Sequence, residues 1–168
     1  MNNQVNSNKS CWGSQLESTS MVEKNDSCPI CKKAGDKVKN TTVEHMVCDE
    51  LVENVKSEDY YLCMDEECDV VYYNSDLDSV FKKRDVKVPI WFKKDAEPKY
   101  VCYCNEVTEE QVISAVVKDN AENMKDIVRL TGAMKNGQCE IKNPSGKCCH
   151  SVVQSAIDKG LQFKNKKN

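Results

Sequence analysis

Apolar residues recur along this chain with different periods in different stretches, and the period divides it into segments. Residues 1–26 are polar and aperiodic and read as a disordered tail. Thr41-x-x-Glu44 has the form of a capping box, and Val43, Met46, Val47 and Leu51 follow on one face of a short helix. The pattern then becomes strand-like. Asp59-Tyr-Tyr-Leu-Cys63 and Asp69-Val-Val-Tyr-Tyr73 read as two strands of a hairpin, with Val80-Phe81 and residues 86–92 as further strands. Pro89 places the last of these at an edge or an end.

Residues 93–99 are polar, contain Pro98 and read as a linker. Thr108-Glu-Glu-Gln111 is a second capping box, opening a helix through Val112, Ile113, Val116 and Val117. Met124, Ile127, Val128 and Leu130 mark another helix, stopped near Gly132. Val152, Val153, Ala156 and Ile157 mark a third, ended by Gly160. The expected fold class is α+β. A small β-rich unit with one helix spans 27–94, and an all-helical, three-helix unit spans 100–162. The tail 1–26 precedes them and a basic tail, 163–168, follows.

Units this small need staples, because a single core below about 70–80 residues contributes little net stability. Eleven cysteines in 168 residues are the candidates. Their odd number argues against a disulfide scaffold, as does the lack of an apolar leader segment, and the expectation is a cytoplasmic protein with reduced thiols. No apolar run approaches the roughly 20 residues of a membrane span. A net charge of −3 and a pI near 5.5 argue against a nucleic-acid surface. Enzymatic chemistry is the least supported class: there is no Gly-rich phosphate loop, no nucleophile motif and only two histidines.

The cysteines form two sets. Cys28-Pro-Ile-Cys31 and Cys63-x4-Cys68 are two short pairs of the kind that close a tetrahedral four-thiolate zinc site. Such a site leaves no position for water and zinc has no redox chemistry, so its role is structural. His45 is read as helix surface and Cys48 as a small, partly buried side chain. The second set is Cys102-Tyr-Cys104, Cys139 and the Cys148-Cys149 doublet. Cys102 and Cys104 suit one iron of a [2Fe–2S] cluster, with Cys139 and one doublet member on the other. Positions 152, 153, 156 and 157 lie on one helical face with Cys149, which points that residue inward; Cys148 is the alternative. His150 is adjacent, but the cysteines suffice. Met124 and Met134 are read as core, Trp91-Phe92 as a flap or core edge, and Cys11-Trp12-Gly13 as a surface patch.

Cys-Tyr-Cys-Asn-Glu-Val-Thr-Glu-Glu-Gln (102–111) and Gly-Lys-Cys-Cys (146–149) resemble the bacterioferritin-associated ferredoxin family of [2Fe–2S] domains. That family spaces the last two ligands closely; here residues 140–147 lie between Cys139 and the doublet. The chain from Cys28 to Lys159 resembles more specifically the N-terminal metal domain of the copper chaperone CopZ family. The carrying segments are Cys28-Pro-Ile-Cys31, Tyr61-Leu-Cys63, Cys68-Asp-Val-Val-Tyr-Tyr73, Val101-Cys-Tyr-Cys104 and Asn143-Pro-Ser-Gly-Lys-Cys-Cys-His150. The resemblance implies a zinc ion and a [2Fe–2S] cluster in one domain. It further implies one-electron transfer in copper trafficking, a redox or metal-trafficking protein partner, Cu(II)-reducing activity and transient Cu+ on Cys11 or the spare doublet thiol. The Met-x-Cys-x-x-Cys motif of the copper-carrying domain is absent. The competing expectation is a zinc-ribbon interaction module holding two zinc ions.

Overall fold

The computed structural model describes residues 26–166, so the Cys11-Trp12-Gly13 patch, all but the last residue of the expected 1–26 tail, and Lys167 lie outside the described residues. The observed class is the expected α+β. Strands β1 (Asp36–Val38), β2 (Tyr60–Leu62), β3 (Val70–Asn74) and β4 (Ser79–Lys82) form one antiparallel sheet in the order β1-β2-β3-β4. All five residues of β3 are buried, as a central strand demands. Helix α1 (Asn40–Met46) supplies Val43 and Met46, which join Val38, Leu62, Tyr72 and Phe81 in the core of this unit.

Several local expectations are corrected. Thr41 does not cap α1: the helix starts at Asn40, and the N-cap residue Lys39 makes no side-chain cap bond. The Asp59 carboxylate accepts the Asn40 amide at 3.4 Å from outside the helix, a role that the local capping box was expected to fill. The helix ends at Met46, and Leu51 lies in a separate 3₁₀ segment, Asp49–Asn54. Residues 86–92 contribute only a bridge between Val86 and Val47. Beyond it their polar groups turn to Tyr103, whose hydroxyl donates to Pro89 O at 2.6 Å and accepts from the Trp91 amide at 3.0 Å. Residues 93–99, expected as a polar linker, bury Lys93 and Ala96.

The second unit is not all-helical. A two-stranded ribbon, β5 (Tyr100–Cys102) and β6 (Val107–Thr108), opens it. Helix α2 (Glu109–Lys118) follows with its capping box formed as expected: Thr108 Oγ1 accepts from the Gln111 amide, and Gln111 Oε1 from the Thr108 amide. Helix α3 (Met124–Thr131) stops at Gly132, and a short α4 (Cys139–Lys142) precedes α5 (His150–Lys166). Gly160 does not end α5. It lies inside the helix where α5 crosses α2, and a Cβ there would stand 2.9 Å from Val116 Cβ.

The two units share an interface. Helix α4 lies on α1, where Thr42 Oγ1 donates to Glu140 O at 2.6 Å and Lys39 Nζ meets Glu140 Oε1 at 2.5 Å. The following turn buries a bond from the Tyr72 hydroxyl to Pro144 O at 2.6 Å, and Lys147 pairs with Asp36 at 2.9 Å. Burial pushes the Tyr72 phenol well above its ordinary value, so it stays a donor. Removing that donor leaves a buried carbonyl unpaired. Tyr72→Phe is expected to cost about 1–3 kcal/mol of stability, read from urea unfolding curves of metal-loaded protein.

Candidate metal centres

Each half of the first quartet is a turn built around its own sulfurs. Cys28-Pro-Ile-Cys31 folds back so that the Lys32 amide donates to Cys28 O and the Cys28 amide to Lys33 O, both at 2.9 Å. The next residues run into β1, and Gly35 passes so close to the sheet that a Cβ would meet Leu62 O at 2.7 Å. Cys63 follows β2 and Cys68 precedes β3, so the hairpin register delivers both to one end of the sheet. The four Sγ atoms lie within 4.8 Å of one another. Cys28 and Cys68 stand 3.9 Å apart, and Cys31 and Cys63 3.6 Å.

Those separations bracket about 3.8 Å, the edge of a tetrahedron with Zn–S bonds of about 2.3 Å, so the residues fit a zinc ion. Burial raises Cys63 and Cys68, opposed by the amides of Asp65 and Val70 and, at Cys63, by the charge of Lys93. At Cys28 burial also acts upward, but amides from Cys31 and Ile30 outweigh it and the thiol sits below its ordinary value. His45 is exposed, its Nδ1 on Thr41 O, and Cys48 is half-buried with its sulfur toward Arg84 O. Neither belongs to the quartet.

The second set converges as well, in a different shape. Among the described residues only the first quartet has its ligand atoms all within 4.8 Å, so the second set is more open than a one-ion site. Cys102 ends β5 and Cys104 lies in the turn before β6; Cys139 begins α4 and Cys149 directly precedes α5. The close pairs join the two chain segments. Cys104 and Cys139 approach to 3.7 Å, and Cys149 is the neighbour that most strongly perturbs the Cys102 thiol. The sequence had grouped Cys102 with Cys104 instead. Four sulfurs that do not all lie within 4.8 Å, two of them one tetrahedral edge apart, fit a two-iron, two-sulfide centre.

Cys102, Cys104 and Cys149 are buried with Val101, Val112, Ile127 and Val153, whereas Cys148 is exposed. Met124 and Met134 pack against this core, and His150 is exposed. The neighbouring Cys149 thiol draws the Cys102 thiol down to about 5 against burial, aided by the Met134 amide at 3.3 Å and Asn105 Nδ2 at 3.6 Å, which donate to Cys102 Sγ. The same contact and burial push Cys149 up, while burial and Cys139 push Cys104 up to about 11.

Sequence reasoning missed Lys93, Asn105, Thr42 and Tyr72 as supports of these centres. Only the Asn143-Pro-Ser-Gly146 turn carried a local signal: Asn143 Oδ1 accepts from the Ser145 amide at 3.0 Å.

A family model described as a zinc-binding domain matches residues 25–87, and one described as a BFD-like [2Fe–2S] binding domain matches residues 100–159. The chain is 42% identical over 123 residues to the copper chaperone CopZ of Archaeoglobus fulgidus, a match covering 73% of this chain and 57% of that protein. The chain thus spans little more than half of that relative. The X-ray structure of the N-terminal domain of Archaeoglobus fulgidus CopZ superposes with a TM-score of 0.65 at 40% identity. That match covers 77% of this chain and 95% of the domain.

The different placements of the doublet sulfurs give a direct test. Cys148→Ser is expected to leave iron content and visible absorption as in the parent protein, and Cys149→Ser to lose most of both, measured on anaerobically purified protein.

Proposed function

The chain belongs to the family of CopZ N-terminal metal domains, and from that membership we propose that it is a one-electron carrier in metal trafficking. In this reading Cys28, Cys31, Cys63 and Cys68 hold a structural zinc ion, and Cys102, Cys104, Cys139 and Cys149 hold a [2Fe–2S] cluster. The domain limits proposed with it are 27–94 for zinc and 100–162 for the cluster. The observation that carries the reading is the contrast between the quartets: one is compact enough for a single ion, the other is more open and walled by apolar side chains.

When bound, the cluster supplies a couple that accepts and returns one electron. The protein's own residues set the conditions. Val101, Val112, Ile127 and Val153 exclude water from the sulfurs. Asn105 Nδ2 and the Met134 amide place positive ends of dipoles on Cys102 Sγ, which favours the more negative, reduced state. Cys139 is only half-buried and marks the side on which the sulfurs come nearest to solvent.

The relative's printed name makes copper the cargo to test, and Cu+ is the form a thiol would take. Cys148, an exposed thiol outside the proposed ligand set, is the described residue open to it. A protein partner in metal handling and a reducing, cytoplasmic setting are proposed on the same basis; no helix among the described residues is long and apolar enough to cross a membrane.

Oxygen-free protein is expected to be brown, to contain one zinc and two iron per chain, and to bleach with dithionite. A colourless protein with two zinc per chain would instead establish the non-redox zinc-ribbon module. Asn105→Ala is expected to lower the reduction potential in a spectroelectrochemical titration, because one N–H···S donor is lost while all four thiols stay.

A further inference from the structure

Among the described residues Lys93 is the one charged residue that is buried. It is 1% exposed, and its Nζ lies 3.0 Å from Cys63 O, 2.7 Å from Asp65 O and 2.9 Å from Val70 O. These carbonyls belong to the two arms and the turn of the Cys63-x4-Cys68 half-site. Three acceptors require three protons on one nitrogen, and only the ammonium form carries three. The Phe92 ring, with its centroid 5.3 Å from Nζ, adds a face that favours a cation.

Among the described residues no carboxylate forms an ion pair with Lys93; the nearby Asp95 is bound to Lys83 at 2.9 Å. A buried cation without an anion is costly, and carbonyl dipoles offset only part of that cost. Four thiolates around one divalent ion leave a dianionic centre, and the carbonyls that grip Lys93 are part of the turn that carries two of those sulfurs.

We propose that Lys93 is the internal counter-ion of the zinc–thiolate centre, clamping the second half-site and lowering the cost of burying its negative charge. This rests on the assignment of zinc to Cys28, Cys31, Cys63 and Cys68. Lys93 lies beyond residues 25–87, the span matched by the zinc-binding family model, so the segment joining the two units is wired into the metal site.

The test uses the full chain, purified without oxygen, as parent, Lys93→Gln, Lys93→Met and Lys94→Met. Lys94 is exposed and paired with Glu67, and controls for loss of a surface charge. Zinc transfer to a colorimetric chelator is followed together with cluster absorption. Both Lys93 variants are expected to release zinc about 10- to 100-fold faster, the usual scale for outer-shell substitutions, while Lys94→Met follows the parent. In cobalt-substituted protein the sulfur-to-cobalt charge-transfer band is expected to shift in both Lys93 variants and not in Lys94→Met; a packing defect alone would leave it in place.

Lys93→Gln keeps hydrogen-bond donors without the charge. If it releases zinc at the parent rate, the counter-ion role is overturned even where Lys93→Met fails to fold. Zinc present in the parent with unchanged release in the Lys93 variants overturns the counter-ion alone. Absence of zinc from the parent overturns the zinc assignment and the counter-ion with it.

Discussion

Sulfurs held within 4.8 Å of one another in a dry interior cannot all ionise unless a cation sits among them, and this repulsion governs the first unit. Its sheet strands are three to five residues long, and its main core is a single layer between sheet and helix. The quartet occupies one end of that sheet as a separate small cluster with Val70 and Tyr73. A cation there joins the first turn of the unit to its central hairpin, adding to the strand β1 and to the bonds from the Tyr73 hydroxyl to Asp26 O and from Lys33 to Asp65. Amide dipoles at Cys28, Cys63 and Cys68 support the same charge.

The second set depends on the first unit through the backbone between Cys139 and Cys149. This stretch leaves α2, α3 and α5 and lies against α1 and β3. Thr42, Lys39, Tyr72 and Asp36 hold it at four points. From the other side Tyr103, the residue between Cys102 and Cys104, is tied to Pro89 and Trp91. Both halves of the iron-fitting set are therefore anchored in residues of the sheet unit, and the pairing of Cys104 with Cys139 is one product of that anchoring.

Much of this was legible in the chain because it rests on local chemistry. The Thr108–Gln111 box, the stop at Gly132, the β2–β3 hairpin and the inward turn of Cys149 are all set by residues within a few positions of one another. What was not legible depends on partners far away in sequence. Thr41 and Glu44 match a capping pattern, but Asp59 serves the helix start from another element. Gly160 looks like a stop and is a crossing point, because Val116 needs the space. Residues 86–92 have strand composition, but beyond the bridge at Val86 and the Lys87 amide on Met46 O their Pro89 carbonyl and Trp91 amide turn to one tyrosine hydroxyl. A lysine in a polar stretch reads as solvated, and nothing local indicates three carbonyls waiting for Lys93.

The docked segment 140–147 bears on how such proteins can be recombined. A fragment starting near residue 100 would expose the Pro144 carbonyl, the Tyr103 hydroxyl and one flank of α4 to water, with two of its metal-fitting cysteines at the ends of an untethered segment. A chimera that exchanges only the C-terminal half between relatives would have to carry the matching wall from its donor, at least the counterparts of Thr42, Tyr72 and Pro89. The two halves thus form one mechanical object, although each is matched by a family description of its own.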